Sequence, residues 1–99
     1  MRLKITEPAK LRAKDIYDYY LENASKSIAQ KIIKSLKDAP KALLKNPYIG
    51  QIEETLEPLN KGHRYLVEGN YKIIYRIEGE IIYITDFFHT KQHPDKKRP

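Results

Sequence analysis

The second half of the chain carries side chains whose types would allow cleavage of RNA without a metal ion. Arg64 and Lys72 are cations that would stabilise the negative charge of a phosphorane. His89 can exchange a proton near neutral pH, and the carboxylate of Glu57 can act as a base. Glu57, Arg64, Lys72 and His89 are therefore the catalytic residues to expect if the protein is a nuclease.

A basic binding surface is the second interpretation of this region. In the run 71–77, Lys72 and Arg76 alternate with apolar residues, so a strand would place both cations on one face. We expect Arg64, His89 and Lys91 to join them from neighbouring positions. Arg64, Lys72, Arg76 and Lys91 are then the predicted contacts to a nucleic acid or another target. Exposed lysines and arginines on a strand are otherwise simply solvated, and the residue types leave these interpretations open.

The charge balance favours a polyanionic partner. The 99 residues include 19 Lys and Arg against 13 Asp and Glu, which gives a net charge of +6. A basic surface of this kind suits nucleic acid, the ribosome or an acidic protein, although a similar charge also serves solubility. The absence of cysteine excludes disulfides, zinc–thiolate sites and thiol nucleophiles. No histidine spacing or glycine-rich loop predicts a metal or a cofactor.

Length and hydropathy predict one domain over residues 1–99. No apolar run is long enough to span a membrane, and charges interrupt the N-terminus where a signal peptide would be apolar. We therefore expect a cytoplasmic protein that does not contact the membrane. Its basic, proline-containing tail over 90–99 is expected to be flexible.

A strand and a first helix are predicted at the start of the chain. Residues 2–6 alternate polar and apolar side chains. Thr6 then offers a capping side chain, and the helix is expected from Pro8 to Glu22. One buried stripe recurs at helical spacing along it: Ala9, Ala13, Ile16 and Tyr20.

The second helix is predicted to begin at Ser25–Ser27 and to pack against the first as a hairpin. Ser27 and Gln30 have the spacing of a capping box. Pro40 lacks a backbone N–H and crowds the preceding turn, so it predicts a break. A short helical piece follows, and the segment Asn46–Gly50 ends the helical half.

Three strands are predicted in the second half, over 63–68, 71–77 and 81–88, since these runs are rich in β-branched and aromatic residues. Gly69 and Gly79 lie in the short connections and indicate hairpins. The predicted fold class is therefore α+β: an N-terminal strand, an antiparallel helical hairpin and a three-stranded antiparallel meander.

The ordered set of motifs resembles the RelE/ParE toxins over nearly the whole chain. The helical half supplies Ala13-x-Asp15-Ile16-x-x-Tyr19-Tyr20-Leu21, Ala29-x-x-Ile32-Ile33 and Leu43/Leu44-x-x-Pro47-x-x-Gly50. The sheet half supplies Arg64-Tyr65-Leu66-Val67, Tyr71-Lys72-Ile73-Ile74-Tyr75-Arg76 and Ile82-x-Ile84-x-x-Phe87-Phe88-His89-x-Lys91-x-x-Pro94.

The resemblance implies a growth-arresting toxin of a type II toxin–antitoxin system, as in plasmid stabilisation. In such systems the extended C-terminal segment of a cognate antitoxin wraps the toxin, so a hetero-oligomer is expected. ParE-like members inhibit DNA gyrase, whereas RelE-like members cut messenger RNA on the ribosome. A third alternative is a basic module that binds without activity.

The helical hairpin and the turn at 47–50 favour the ParE-like branch. Glu57-Pro58-Leu59 resembles a segment that holds the general base in some ribosome-dependent nucleases, and His89 lies where some of them have a catalytic histidine. However, Lys72 stands where those enzymes often have arginine, which clamps phosphate better. Thr90 replaces a tyrosine that is frequent in them. Gyrase inhibition is therefore the preferred function, with the ribosome-dependent nuclease as the alternative.

Overall fold

The computed structural model describes residues 1–91 and residue 99. Two α-helices precede most of the sheet, and two 3-10 helices flank a very short strand. In chain order the elements are β1 (Arg2–Ile5), α1 (Glu7–Asn23), α2 (Lys26–Asp38), a first 3-10 helix (Ala39–Leu44), β2 (Gln51–Ile52), a second 3-10 helix (Glu54–Leu59), β3 (Arg64–Glu68), β4 (Tyr71–Glu78) and β5 (Ile81–His89). The expectation of a flexible tail concerns mainly residues 92–98, which lie outside the described part.

The five strands form one sheet in the order β1-β5-β4-β3-β2. β1 runs parallel to β5 at one edge, and the other pairs are antiparallel. The predicted α+β architecture is therefore confirmed. β2 and the second 3-10 helix were not predicted, because each is too short to show a hydrophobic period.

The helix α1 begins where its capping residue predicts. The hydroxyl of Thr6 accepts a hydrogen bond from the backbone N–H of Ala9 at 3.3 Å, which satisfies one donor of the first turn. Ala9, Ala13 and Ile16 form the buried stripe, and Tyr20 extends it while only half-buried. Small side chains on this stripe let the helix lie close to the sheet.

The capping prediction for α2 was wrong by two residues. Ser25 has the extended backbone of a cap (φ −157°, ψ 164°), and its hydroxyl accepts from the N–H of Ile28 at 3.1 Å. Ser27 already lies inside the first turn, because the connection from α1 is only two residues long. The break predicted at Pro40 is confirmed, since the chain continues there as a 3-10 helix in which Pro40 is buried.

The main core lies between the helical hairpin and one face of the sheet. It is built from Ala9, Ala13, Ile16, Leu36, Leu43, Tyr71, Ile73, Tyr75, Ile82, Ile84 and Phe87. A smaller cluster of Leu56, Ile74 and Phe88 lies on the opposite face, where Tyr65 packs against it. The second 3-10 helix contributes Leu56 and so covers part of the face that the helices leave open.

Tyr75 joins the core to the turn that precedes β2. Its ring is fully buried, and its hydroxyl donates to the carbonyl oxygen of Pro47 at 2.8 Å and accepts from the N–H of Gly50 at 3.0 Å. A Cβ atom on Gly50 would lie 2.5 Å from that hydroxyl oxygen. Glycine is therefore required at position 50, and burial raises the pKa of Tyr75.

We expect Tyr75→Phe to lower the free energy of unfolding by about 1–3 kcal/mol, because it leaves the N–H of Gly50 and the carbonyl of Pro47 without their partner. Urea unfolding followed by circular dichroism would measure the loss. Tyr83→Phe is the matched control, since Tyr83 is only half-buried. Equal stability of the two variants would contradict a structural role for the Tyr75 hydroxyl.

Candidate functional site

Lys72 and Arg76 lie on the face of the sheet that points away from the helices. They alternate with Ile73 and Tyr75, which face the main core, and Ile74 lies between them in the smaller cluster. The prediction that these two cations share one face is confirmed by the strand bounds.

Arg64 and His89 project from the opposite face. Arg64 is the register partner of Tyr75, and His89 is the partner of Tyr71. Directly opposed residues project from the same face of an antiparallel pair. Tyr71 and Tyr75 face the helices, so Arg64 and His89 face the helices as well. The expectation that Arg64, Lys72, Arg76, His89 and Lys91 form one basic surface is therefore wrong.

The ammonium group of Lys72 is held by a buried carboxylate and an aromatic ring. Its Nζ lies 3.4 Å from Oε1 of Glu53, which is only 3% exposed, and 4.2 Å from the ring centroid of Tyr65. Glu53 also accepts from the N–H and the hydroxyl of Thr55, at 3.3 and 2.9 Å, and so caps the second 3-10 helix. Lys72 thus attaches that helix to the sheet.

Arg76 also has neighbours of its own. Its Nη1 donates to Glu78 at 2.6 Å, and its guanidinium carbon lies 4.6 Å from the ring centroid of Tyr83. The Nε atom is buried without a hydrogen-bond partner. An open pocket of about 220 Å³ beside it is lined by Lys61, Arg76, Ile77 and Glu78. The carboxylate of Glu78 offsets the charge that this pocket would offer an anion.

Arg64 supports the turn that ends the helical half. Its Nη1 donates to the carbonyl oxygens of Gly50, at 2.9 Å, and of Tyr48, at 3.4 Å. The guanidinium carbon lies 5.3 Å from the ring centroid of Tyr48. Tyr48 and Ile49 are nevertheless 62% and 56% exposed. Arg64 and Tyr75 together hold a turn that presents two large apolar side chains to solvent.

His89 borders a cleft between α1 and the end of β5. Its ring packs edge-on against Tyr71 with centroids 5.2 Å apart, and its Nδ1 accepts from the N–H of Lys91 at 3.1 Å. The cleft measures about 320 Å³. Burial, followed by the hydrogen bond to Tyr20, raises the pKa of the Tyr71 hydroxyl well above its ordinary value. The Tyr71 hydroxyl donates to the hydroxyl oxygen of Tyr20 at 3.4 Å.

Arg12 and Asp86 form an ion pair between α1 and β5. Nε of Arg12 lies 3.0 Å from Oδ1 of Asp86, and their side chains are 16% and 0% exposed. A fully buried carboxylate needs such a partner, because an isolated charge there would be strongly destabilising. Sequence reasoning missed this pair, although one acid inside the apolar run 81–88 was its signal.

The predicted catalytic set does not form one centre. Glu57 is exposed on the second 3-10 helix, and the carboxylate that meets Lys72 is Glu53 instead. Arg64 and His89 lie on the other face of the sheet. The role of Glu53 as the partner of Lys72 was missed as well. Its signal in the sequence was Thr55, two residues later, whose N–H the Glu53 side chain caps.

Two further findings concern the described part of the chain. Within residues 1–91 and 99, no group of three His, Cys, Asp or Glu side chains is arranged to hold a metal ion. Neither α-helix of that region is long and apolar enough to cross a membrane.

The fold is similar to one that occurs in a toxin–antitoxin system. A solved structure described as "Chromosomal ParDE TA system from P. aeruginosa" has a TM-score of 0.77 at 24% identity, and the match covers 90% of this chain and 95% of that one. Residues 3–94 match the family described as "ParE toxin of type II toxin-antitoxin system, parDE". The chain belongs to the ParE toxin family and is a type II toxin, as its motifs predicted. No curated protein matches the sequence.

We expect Lys72→Met to lower the free energy of unfolding by about 1–3 kcal/mol, since it leaves the buried Glu53 without its cation while the side chain is partly solvent-exposed. Thermal and urea unfolding would measure this loss, with the exposed Lys45→Met as the matched control. Combining Lys72→Met with Glu53→Gln should recover part of it. A Lys72→Met variant as stable as the wild type would show that Lys72 is available to a ligand instead.

Proposed function

We propose that this toxin arrests growth by inhibiting DNA gyrase and that a cognate antitoxin neutralises it. Membership of the ParE family is the observation that carries the proposal. Hydrolysis of RNA would need an acid, a base and cations that converge on one phosphate. Here Lys72 is paired with Glu53, and Arg64 is bonded to backbone carbonyls on the other face of the sheet. This arrangement favours binding over catalysis.

An acidic antitoxin segment suits the charge of the toxin. The chain carries a net charge of +6, and complementary charge speeds the association of two proteins. The similar P. aeruginosa structure is described as a ParDE system. We propose a toxin–antitoxin hetero-oligomer in the cytoplasm, where gyrase also acts, and we assign the C-terminal segment of the antitoxin to the contact.

For the target, we propose that the turn at 47–50 and the cation of Lys91 make the contact. Tyr48 and Ile49 are exposed on a turn whose backbone is hydrogen-bonded to Arg64 and Tyr75. Tyrosine is enriched among the residues that dominate binding energy. Lys91 is exposed, unlike Arg64 and Lys72, which are partly covered by their neighbours. Arg64 would then act on the target indirectly, by positioning Tyr48.

Gyrase inhibition can be tested with the purified toxin and a relaxed plasmid. We expect the toxin to prevent ATP-dependent supercoiling by gyrase and the antitoxin encoded beside the toxin gene to restore it. The same preparation should leave a translated messenger RNA intact in primer extension. Growth arrest on expression is shown first, so that the protein is known to be active.

The other outcomes separate the alternatives. Cuts that appear only in translated messenger RNA would replace gyrase inhibition with the ribosome-dependent nuclease and would redirect attention to Glu57 and His89. Absence of growth arrest, of gyrase inhibition and of cleavage would favour a basic module that binds without activity.

The role of Lys91 can be tested by charge reversal. We expect Lys91→Glu to weaken gyrase inhibition by about 5- to 20-fold, because a repulsive charge at a protein contact costs on the order of 1–2 kcal/mol. Lys26→Glu, an equally large change at an exposed site on α2, should have little effect. Inhibition curves measured at several toxin concentrations would compare them. Equal loss in both variants would indicate a general charge effect and contradict the assignment.

A further inference from the structure

Most of the positive charge of the chain lies on α2 and on the first 3-10 helix. Residues 26–45 contain six lysines and a single acid, Asp38, so this segment carries +5 of the net charge of +6. The rest of the chain is therefore almost neutral. All of these lysines are exposed. A cluster of cations along one helix is typical of a protein that binds a polyanion.

Helical spacing places two of these lysines on the solvent side of α2. Ala29 and Leu36 are buried on the side that faces the rest of the protein. Because an α-helix has about 3.6 residues per turn, Lys31 and Lys34 lie on the opposite side. Residues three positions apart are neighbours on the surface of a helix, so these two side chains are adjacent.

The first 3-10 helix extends this exposed charge beyond the end of α2. Nζ of Lys41 lies 3.0 Å from Oδ1 of Asp38, and the other carboxylate oxygen of Asp38 contacts Nζ of Lys34. Lys34 and Lys41 are therefore close to each other across the junction of the two helices. Lys45 follows directly after the 3-10 helix and is exposed as well. We call this line the lysine ridge, and its members are Lys31, Lys34, Lys41 and Lys45.

The lysine ridge keeps most of its charge. Asp38 is shared between Lys34 and Lys41, and one carboxylate cannot neutralise two ammonium groups. Lys31 and Lys45 make no ion pair with any residue in the described part of the chain. Ion pairs that are exposed to solvent are weak, so a ligand that brings several negative charges can replace them. The ridge therefore offers several ammonium groups to one ligand.

The residue types of this segment favour the phosphate backbone of a duplex as that ligand. Lysine binds phosphate as a point charge, without the bidentate geometry by which arginine reads a base edge. Residues 26–45 contain no aromatic side chain on which an unpaired base could stack. Contacts to a duplex backbone need neither of these features. Duplex DNA presents one negative charge per about 1.7 Å of its axis, which matches a line of closely spaced cations.

We propose that the lysine ridge binds the phosphate backbone of duplex DNA without regard to sequence. The choice of DNA rests on the proposed gyrase target, whose substrate is DNA. The position of the ridge suits that target, because the ridge ends at Lys45, just before the turn at 47–50 that we assign to the gyrase contact. One toxin molecule would then contact gyrase and the DNA beside it.

The test measures binding of the purified toxin to a short DNA duplex of mixed sequence by fluorescence anisotropy, with no gyrase present. The ridge variant is Lys31→Gln/Lys34→Gln/Lys41→Gln/Lys45→Gln. The matched control removes the same charge from four exposed lysines outside residues 26–45, and it is Lys4→Gln/Lys10→Gln/Lys14→Gln/Lys61→Gln. Because both sets lie on the surface, both variants should fold, and circular dichroism checks this.

We expect the ridge variant to bind the duplex at least about 10-fold more weakly than the control variant at low salt, because it lacks the phosphate contacts. Each such contact contributes about 0.9 to the slope of the logarithm of the association constant against the logarithm of the salt concentration. Loss of the ridge should therefore reduce that slope by about 3 to 4, whereas the control variant should keep most of it.

Equal slopes for the two variants would overturn the ridge assignment, because the loss would then reflect net charge alone. A wild-type toxin that inhibits gyrase but does not bind the duplex at about 50 mM salt would overturn the DNA contact and leave the gyrase target standing. Binding of DNA by a toxin that does not inhibit gyrase would support the ridge and contradict the proposed target. If single-stranded RNA displaces the duplex more effectively than unlabelled duplex does, the ridge is an RNA contact, and the proposal is wrong.

Discussion

The position of the turn that precedes β2 depends on the two hydrogen bonds of the buried Tyr75 hydroxyl. The ring belongs to the core beneath the helices, while the hydroxyl is hydrogen-bonded to Pro47 and Gly50 in the turn that precedes β2. This one side chain therefore connects the helical half to the edge of the sheet. Because its donor and acceptor are both used, the turn is fixed in position, and β2 can pair with β3 directly after it.

Strand register then decides what each cation does. Arg64 and Lys72 lie on neighbouring strands, yet they project from opposite faces because Arg64 is opposed to Tyr75. Arg64 consequently meets backbone carbonyls, and Lys72 meets a buried carboxylate. A net charge of +6 does not by itself create a basic catalytic site. Here Arg64 supports a turn and Lys72 supports a short helix.

The helices and long strands could be predicted from residue patterns along the chain. Features that depend on a single contact, such as a helix cap, were missed. Both helices follow from apolar spacing, and the three long strands follow from runs of β-branched and aromatic residues. The break at Pro40 follows from the missing N–H and the bulk of the proline ring. The cap at Ser25 was missed because Ser27, and not Ser25, has a glutamine at the spacing of a capping box. The face of Arg64 was predictable: a two-residue turn at Gly69–Asn70 sets Glu68 opposite Tyr71 and therefore Arg64 opposite Tyr75.

The face from which His89 projects was harder to predict, because the pairing of β4 with β5 is irregular. Counting back from the turn at Gly79 would oppose Phe88 to Tyr71, but the pairing shifts by one residue between Ile74 and Tyr75, and His89 takes that place. A bulge of this kind follows from local packing, and Asp86 in its ion pair with Arg12 lies directly beside it. The shift also turns Phe87 toward the helices, where it is buried in the main core. The same irregularity therefore separates His89 from Lys72 and completes the core with an aromatic ring.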